Sequence, residues 1–289
     1  MPTSKKLQTK SGRKTKMLLA FDIGNTNIVL GVFNKEGELK TSWRIKTDAQ
    51  KSTDEYGMIV NQLFEFEGIK MEEIDDIIIS TVVPSVLFTI QHLSQKYFGI
   101  NSIVIASGVK TGLKIKYDNP KQVGADRIVN AVAAYEKFGG PVIVIDFGTA
   151  TTFCAISRNA EYLGGTIAPG VKISAESLFE KTSKLPKVEL EDPNHAICRN
   201  TIQSMQAGLL YSHMGMVEYV VAKMKKELAE YDPEAPEAKV IATGGLAGMI
   251  EAGVGCIDKI ERMLTLEGLR LIYDKNKYQY KNRKKVECR

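Results

Sequence analysis

Two short turns in the chain carry the residue types that bind phosphate. The segments Asp22-Ile23-Gly24-Asn25-Thr26 and Asp146-Phe147-Gly148-Thr149-Ala150 align without a gap, and each has an apolar stretch on both sides. Glycine lets backbone N–H groups approach a phosphate closely, and threonine or asparagine adds donors. The carboxylate can hold a cation or its water shell beside the phosphates. One such turn is ordinary hairpin chemistry, but two in matching frames predict two related half-domains that share a cleft.

A further segment, Gly124-Ala125-Asp126-Arg127, places an acid beside an arginine at a predicted helix start. The helix N-terminus stabilises an ionised carboxylate, so Asp126 is a candidate general base for a bound hydroxyl group. Arg127 can form paired hydrogen bonds with a carboxylate or a phosphate. The alternative is a plain N-terminal helix acid with a surface arginine. Its place between the two turns favours the chemical interpretation.

A third glycine turn, Thr243-Gly244-Gly245, ends a predicted strand and enters a predicted helix. A nucleotide can pass close to the backbone at such a place. A plain strand-to-helix turn is the alternative interpretation of this segment taken alone.

The cysteines and histidines indicate neither a metal centre nor a disulfide framework. The chain has cysteines that lie far apart without a C-x-x-C pair: Cys154, Cys198, Cys256 and Cys288. This spacing favours a reducing, cytosolic compartment. The histidines show no metal-ligand spacing and no neighbouring nucleophile: His92, His195 and His213. Although histidine is the commonest general base, we expect a mechanism that does not use one.

The net charge of +5 belongs to the two ends of the chain. Residues 1–16 carry a charge of +6 and residues 274–289 a charge of +5, which leaves the rest at −6. A nucleic-acid-binding surface on the folded body is therefore not expected, and we predict that both basic ends are solvated. No apolar run approaches the roughly 20 residues that span a membrane.

The length of 289 residues and the order of the elements favour two α/β units. Their boundary is placed after residue 123, which gives domains over 17–123 and 124–274, flanked by a basic extension at 1–16, expected to be disordered, and a basic tail at 275–289. Ser52-Thr53-Asp54-Glu55 is a capping box that begins the first helix. Apolar periodicity predicts strands over 17–23, 27–33, 38–46, 77–79, 102–105, 161–167 and 239–242, a hairpin over 141–157, and helices over 53–66, 85–97, 124–138, 171–182, 200–229 and 264–274.

Taken in order, these motifs resemble those of the type III pantothenate kinases. The matching segments are Asp22–Thr26, Gly124–Arg127, Asp146–Thr152, Gly164-Gly165 with Pro169-Gly170, and Thr243–Gly245. The turns are shared across the superfamily of acetate and sugar kinases, 70-kDa heat-shock proteins and actin, whereas the Gly-Ala-Asp-Arg element is far more specific. The resemblance covers residues 17 to about 273. It implies an α/β fold of two ribonuclease-H-like, actin-like ATPase domains, with mixed sheets flanked by helices and a cleft between them.

The resemblance also implies roles for the matching residues. Asp126 is implied as the catalytic proton acceptor and Asp146 as the ligand of a monovalent cation, K⁺ or NH₄⁺. Asp22 is expected to meet Mg²⁺ through water, because this ion keeps much of its hydration shell. The implied ATP contacts are Asp22, Ile23, Gly24, Asn25, Thr26, Asn27, Ile28, Val29 and Thr149. The implied pantothenate contacts are Tyr117, Gly124, Ala125, Asp126, Arg127 and Thr201. Two of these have a plainer alternative, since Tyr117 could serve packing and Thr201 could cap a helix.

The activity implied is ATP-dependent phosphorylation of pantothenate to 4'-phosphopantothenate, the first step of coenzyme A biosynthesis. The resemblance implies a cytoplasmic homodimer with pantothenate near the subunit interface, and no nucleic-acid or membrane partner is expected. Two alternatives stay open. One is another phosphotransferase of the superfamily, such as a sugar kinase or an exopolyphosphatase. The other is a non-catalytic nucleotide-binding regulator, against which the intact Asp126 and both acidic turns argue.

Overall fold

The computed structural model describes residues 17–287, and for residue 279 and residues 281–287 it describes the backbone alone. The predicted basic extension at 1–16 lies outside the described residues. The strands are β1 (Met17–Ile23), β2 (Asn27–Phe33), β3 (Leu39–Lys46), β4 (Ile74–Thr81), β5 (Ile103–Val104), β6 (Lys114–Ile115), β7 (Val142–Phe147), β8 (Ala150–Ile156), β9 (Glu161–Pro169), β10 (Lys239–Gly244) and β11 (Lys259–Ile260). The helices are α1 (Thr53–Phe66), α2 (Pro84–Phe98), α3 (Ala125–Phe138), α4 (Val171–Lys181), α5 (Thr201–Tyr231), α6 (Ala247–Glu251) and α7 (Leu264–Glu287).

The two sheets repeat one arrangement of strands. The first has the order β3-β2-β1-β4-β5, and the second contains the corresponding order β9-β8-β7-β10-β11 with β6 added at its edge. In each, a three-stranded antiparallel meander is extended by two parallel strands. The likeness of the two acidic turns therefore extends to whole sheets, and the predicted α/β class with mixed sheets is confirmed.

Strand β1 is buried on both faces, which explains why it reads as an apolar run. Leu19, Phe21 and Ile23 pack in one core beneath α1 and α2. Leu18 and Ala20 point to the other side, where they pack with residues of α3 and α7. Because neighbouring strand residues face opposite sides of a sheet, this one strand contributes to both layers.

Helices α3 and α7 lie between the two sheets. Val129 and Val132 of α3 belong to a core with the first sheet and with α7, whereas Ala131 and Ala134 of the same helix pack against the second sheet. The helices approach closely at Gly268 of α7, since a Cβ there would overlap the backbone carbonyl oxygen of Val129. Residues at the start of either helix are thereby placed between the sheets.

The predicted elements differ from the observed ones mainly at the C-terminal end. Helix α7 continues to Glu287, whereas a helix ending at 274 was expected. The chain holds neither glycine nor proline after Gly268 to end it. The segment beyond 274 is also anchored, because the Asn276 side chain accepts from the Lys110 N–H and donates to the Lys110 carbonyl.

The division of the chain at residue 123 stays a prediction. Strand β6 precedes that position, yet it pairs with β9 of the second sheet. Of the helices in the described part of the chain, none combines the length and hydropathy needed to cross a bilayer.

Candidate active site

The two acidic turns meet each other at the mouth of the cleft. Each turn connects an antiparallel pair of strands, β1 with β2 and β7 with β8. The hydroxyl groups of Thr26 and Thr149 are 2.9 Å apart and hydrogen-bonded. Both threonines and Asn25 are exposed. The side chains that the sequence proposed as phosphate donors are therefore open to a ligand and lie on both sides of one site.

Neighbouring elements hold both turns in place. The Thr47 hydroxyl donates to the Gly24 carbonyl over 2.7 Å, and the Thr47 N–H donates to the Thr26 carbonyl. On the other side, the Gly170 N–H donates to the Thr149 carbonyl. A Cβ at Gly170 would lie 2.6 Å from the Gly148 carbonyl oxygen, so only glycine allows this close approach.

His213, for which no mechanistic role was expected, supports the second turn from behind. Its side chain is buried, with Nδ1 2.7 Å from the Leu209 carbonyl oxygen and Nε2 3.2 Å from that of Pro169. It thereby connects α5 to the end of β9, next to Gly170. These two contacts give His213 a structural place beside the second turn.

Three carboxylates interact electrostatically inside the cleft. Burial, followed by the charges of Asp126 and Asp146, raises the pKa of Asp22 to about 7, while the Ser80 side chain on β4 and the charge of Arg44 oppose the rise. Burial and the charge of Asp126 raise the pKa of Asp146 to about 6. The structure thus brings together one acid from each turn and the acid that begins α3.

Asp126 lies at the first turn of α3. Burial raises its pKa, while the backbone N–H of Arg127, which donates to Oδ1 over 2.8 Å, and the Arg127 charge oppose the rise. A carboxylate whose pKa moves toward neutral is a better proton acceptor at physiological pH than an ordinary aspartate.

Asp22, Asp126 and Asp146 form a site that suits cations which prefer oxygen ligands. The charge of Asp126 raises the pKa values of Asp22 and Asp146, and a bound cation would offset this repulsion. Among residues 17–287, no group of three or more His, Cys, Asp or Glu side chains is arranged to enclose a metal. Single carboxylates suit Mg²⁺, which keeps several waters and uses substrate phosphates as ligands. Asp22 and Asp146 are the residues that could hold such ions.

Arg127 is buried beside aromatic and sulfur groups instead of an acid. It is 6% exposed, its Nε donates to the Cys154 Sγ over 3.3 Å, and its guanidinium lies over the Tyr162 ring. Its Nη2 has no hydrogen-bond partner within the described part of the chain. Buried polar groups almost always have a partner, and a guanidinium pairs best with a carboxylate or phosphate. Arg127 therefore has the surroundings of an anion-binding group.

Tyr117 lies in the same group of side chains. Its ring centroid is 6.5 Å from that of Tyr162, and it interacts with the Arg127 side chain. The structure thus brings Tyr117 and Arg127 together, and their contact with pantothenate stays a prediction.

Thr201 lies elsewhere. It is the exposed first residue of α5 and borders a cavity of about 620 Å³ together with Pro169 and Ile173. Across residues 17–287, no hydrogen bond or ring contact joins it to Tyr117 or Arg127. Asn200 is the N-cap of that helix, accepting from the Gln203 N–H, so the alternative role of Thr201 as the cap is wrong.

The sequence did not single out Asn130, which contacts the site directly. Its Nδ2 donates to Asp146 Oδ2 over 3.1 Å. Its position four residues after Asp126 places both side chains on one face of α3, and this spacing is the signal that could have found it. Its second partner, Thr265, lies 135 residues away in sequence, and no local pattern connects the two.

Comparisons with known proteins show which fold and which family this chain shares. A protein described as a Baf family transcriptional activator from Campylobacter jejuni is 18% identical, with a TM-score of 0.55 over 90% of this chain and 99% of that one. The activator of 2-hydroxyisocaproyl-CoA dehydratase from Clostridium difficile, solved with bound ADPNP, is 12% identical, with a TM-score of 0.50 over 92% of this chain and 97% of that one. This chain therefore shares its two-sheet α/β fold with both proteins. Residues 18–223 match the sequence model of the type III pantothenate kinases, and the chain belongs to this kinase family.

Proposed function

We propose that this protein catalyses the ATP-dependent phosphorylation of pantothenate to 4'-phosphopantothenate. The observation that carries the proposal is the position of Asp126, whose charge acts on Asp22 of one turn and Asp146 of the other. A proton acceptor between two phosphate-binding turns is what transfer of a phosphoryl group to a hydroxyl requires. The family supports a kinase, and the ADPNP bound by a protein of similar fold supports ATP as the phosphate donor.

The turns bind and orient the triphosphate in this proposal. Thr26 and Thr149 donate hydroxyl groups from opposite sides, and the exposed backbone N–H groups at the turn tips add further donors. Asp22 would hold Mg²⁺ through water, and Asp146 would hold K⁺ or NH₄⁺. When bound, these ions offset the charge on the phosphates. Asp126 orients the substrate hydroxyl and accepts its proton as the phosphoryl group moves, so in-line positioning contributes most of the catalysis.

Arg127 and Tyr117 supply the preference for pantothenate. This substrate carries a carboxylate, and the buried Arg127 has a nitrogen without a partner in residues 17–287. Pairing this nitrogen with the substrate carboxylate would fix the distance between that end of the molecule and the hydroxyl at Asp126. Gly124 and Ala125 line the path between them at the start of α3. Thr201 contributes from the start of α5.

The protein acts as a cytoplasmic homodimer in this proposal. Large apolar side chains are exposed on strand β9 of the second sheet and on the helices α4 and α5: Ile167, Ile173, Ile202 and Tyr219. Exposed apolar side chains on neighbouring elements commonly mark an interface, and β9, α4 and α5 border one cavity at Pro169, Ile173 and Thr201. A second copy on this face would cover them and would bring the subunit contact close to Thr201.

The deciding experiment measures ADP release with pantothenate as acceptor, with and without K⁺. We expect turnover that requires pantothenate, Mg²⁺ and K⁺. Sugars are tested in parallel by the same assay, and polyphosphate is tested by the release of inorganic phosphate. Turnover of one of these compounds but not of pantothenate would identify that compound as the substrate instead. Binding of ATP without turnover on any acceptor would favour a regulator over an enzyme.

A further inference from the structure

Asn130 is a buried amide that no proposed step uses. It lies on α3, is 2% exposed and shares a helix face with Asp126. Burying an amide is unfavourable unless its groups are hydrogen-bonded. The two hydrogen-bond partners of Asn130 therefore indicate the role of this buried amide.

The partners of Asn130 fix the orientation of its amide. Nδ2 donates to Asp146 Oδ2 over 3.1 Å, and the Thr265 hydroxyl donates to Oδ1 over 2.7 Å. An ionised carboxylate can only accept, so the nitrogen must face Asp146 and the oxygen must face Thr265. The chain of bonds has one arrangement and holds one oxygen of Asp146 in place.

Thr265 is itself held firmly by the start of α7. Its neighbours Leu264 and Leu266 are almost fully buried. One turn further on, the helix packs at Gly268 against the backbone of Val129 in α3. The hydrogen-bonded chain therefore joins three elements, β7 of the second sheet and the helices α3 and α7 that lie between the two sheets.

We propose that Asn130 is a positioning residue that engages one carboxylate oxygen of Asp146, leaving the other for a monovalent cation, and that Thr265 fixes the Asn130 amide. The cation role of Asp146 belongs to the proposed function, on which this assignment rests. Groups that hydrogen-bond to a metal ligand typically change metal affinity by about 10–100-fold when removed.

Isosteric variants test the chain of bonds. Asn130→Leu and Thr265→Val each break the chain of hydrogen bonds, whereas Thr265→Ser keeps the hydroxyl group. The control Asn276→Leu removes another buried amide, which bonds to the Lys110 backbone. One measurement is the K⁺ concentration that gives half-maximal turnover. The other is the rise in Tm that K⁺ produces beyond the same concentration of choline, with an unreactive ATP analogue bound.

We expect Asn130→Leu and Thr265→Val to raise the half-saturating K⁺ concentration about 10–100-fold and to lose most of the K⁺-dependent rise in Tm. Thr265→Ser should behave like the wild type. Asn276→Leu should lower Tm without changing the response to K⁺. The assignment would be overturned if Asn130→Leu kept the wild-type half-saturating K⁺ concentration and the wild-type K⁺-dependent rise in Tm, and showed only a general loss of Tm like that of Asn276→Leu.

The outcomes also separate this assignment from the proposed function. If the wild type phosphorylates pantothenate but shows no effect of K⁺ on turnover or Tm, the positioning role is refuted and the phosphotransferase stands. If K⁺ raises Tm in the wild type and not in Asn130→Leu, while pantothenate is not phosphorylated, the positioning role is supported and the proposed substrate is wrong.

Discussion

At the scale of single residues, the cleft concentrates negative charge that the protein alone does not neutralise. Asp22, Asp126 and Asp146 come from three elements. Burial raises the pKa of each, and the charge of Asp126 adds to the rise at Asp22 and at Asp146. Perturbed carboxylates of this kind cluster at functional sites. Bound protons or cations would stabilise this arrangement by offsetting its negative charge.

Replacing Asp126 by asparagine should remove the proton acceptor while keeping the shape of the site. General-base catalysis is typically worth about 10²–10⁴-fold, so kcat in the pantothenate-dependent ADP-release assay should fall within that range. Binding of ATP should change little. Asp54→Asn, which alters an exposed carboxylate of α1 that pairs with Lys96, is the matched control and should keep normal turnover. Near-normal kcat in Asp126→Asn would exclude the assigned role.

Asp22 should make the stability of the ligand-free protein fall as the pH rises. Its pKa is about 7 in the folded protein against an ordinary value of 3.8, so the folded state binds this proton more tightly than the unfolded state does. Stability from this group is therefore highest below about pH 4 and is lost as the pH rises toward 7 and above. Each pKa unit corresponds to about 1.4 kcal/mol, which sets an upper bound of about 4 kcal/mol.

The measurement compares Tm of Asp22→Asn with that of the wild type without Mg²⁺ and nucleotide. Because the variant cannot ionise, its Tm should exceed that of the wild type by more at about pH 8 than at about pH 5. Asp54→Asn should show no such growing difference. A constant difference for Asp22→Asn across this range would mean that Asp22 ionises normally in the folded protein.

At the scale of elements, the sequence predicted the units that have a strong local pattern. Helix α1 begins at its capping box and spans Thr53–Phe66 as expected, and both hairpins that carry the acidic turns are present. The two-residue strands β6 and β11 are too short to show alternation, and they exist only through pairing with distant partners. The link from Asp146 through Asn130 to Thr265 was not predictable for the same reason, since tertiary packing alone brings α7 to α3.

The close crossing of α3 and α7 should depend on Gly268. A methyl group at this position would overlap the Val129 carbonyl, so Gly268→Ala must separate the helices or shift one of them. Overpacking of this kind typically lowers the free energy of unfolding by about 1–3 kcal/mol. In contrast, Gly215 of α5 has open space where its Cβ would be, and Gly215→Ala should raise stability by about 0.5–1 kcal/mol.

Urea denaturation of both alanine variants tests the packing at this crossing. The two substitutions add the same methyl group to a helix. Changes of opposite sign in the free energy of unfolding would therefore separate the effect of the crossing from that of helix propensity. If Gly268→Ala proves as stable as the wild type, the helices can separate freely, and the crossing does not hold Thr265 in position.

At the scale of the whole molecule, the repeat explains why the chemistry is asymmetric. In chain order, one of the two central helices comes after the last strand of each five-strand repeat: α3 follows β5, with only the short edge strand β6 between them, and α7 follows β11. Asp126 is the second residue of α3, and Thr265 is the second residue of α7. In corresponding positions, one half of the repeat thus supplies an acid to the cleft, while the other supplies a hydroxyl that fixes Asn130. The two turns are alike on both sides of the cleft, whereas the central helices differ in the side chain that each contributes, Asp126 from α3 and Thr265 from α7.

The proposed subunit contact assigns a function to the apolar face of the second sheet. Ile202 of α5 is 50% exposed and directly follows Thr201, so a charge there should weaken association and also disturb the substrate site. Phe66 at the end of α1 is 88% exposed on the first sheet's side, outside the proposed contact. We therefore expect Ile202→Glu to shift the protein toward monomer in sedimentation equilibrium and to raise the KM for pantothenate, because a desolvated charge opposes burial of the interface. Phe66→Glu should remain dimeric and active. A wild-type monomer would refute the proposed homodimer. An Ile202→Glu variant that associates as tightly as Phe66→Glu would place the subunit contact elsewhere.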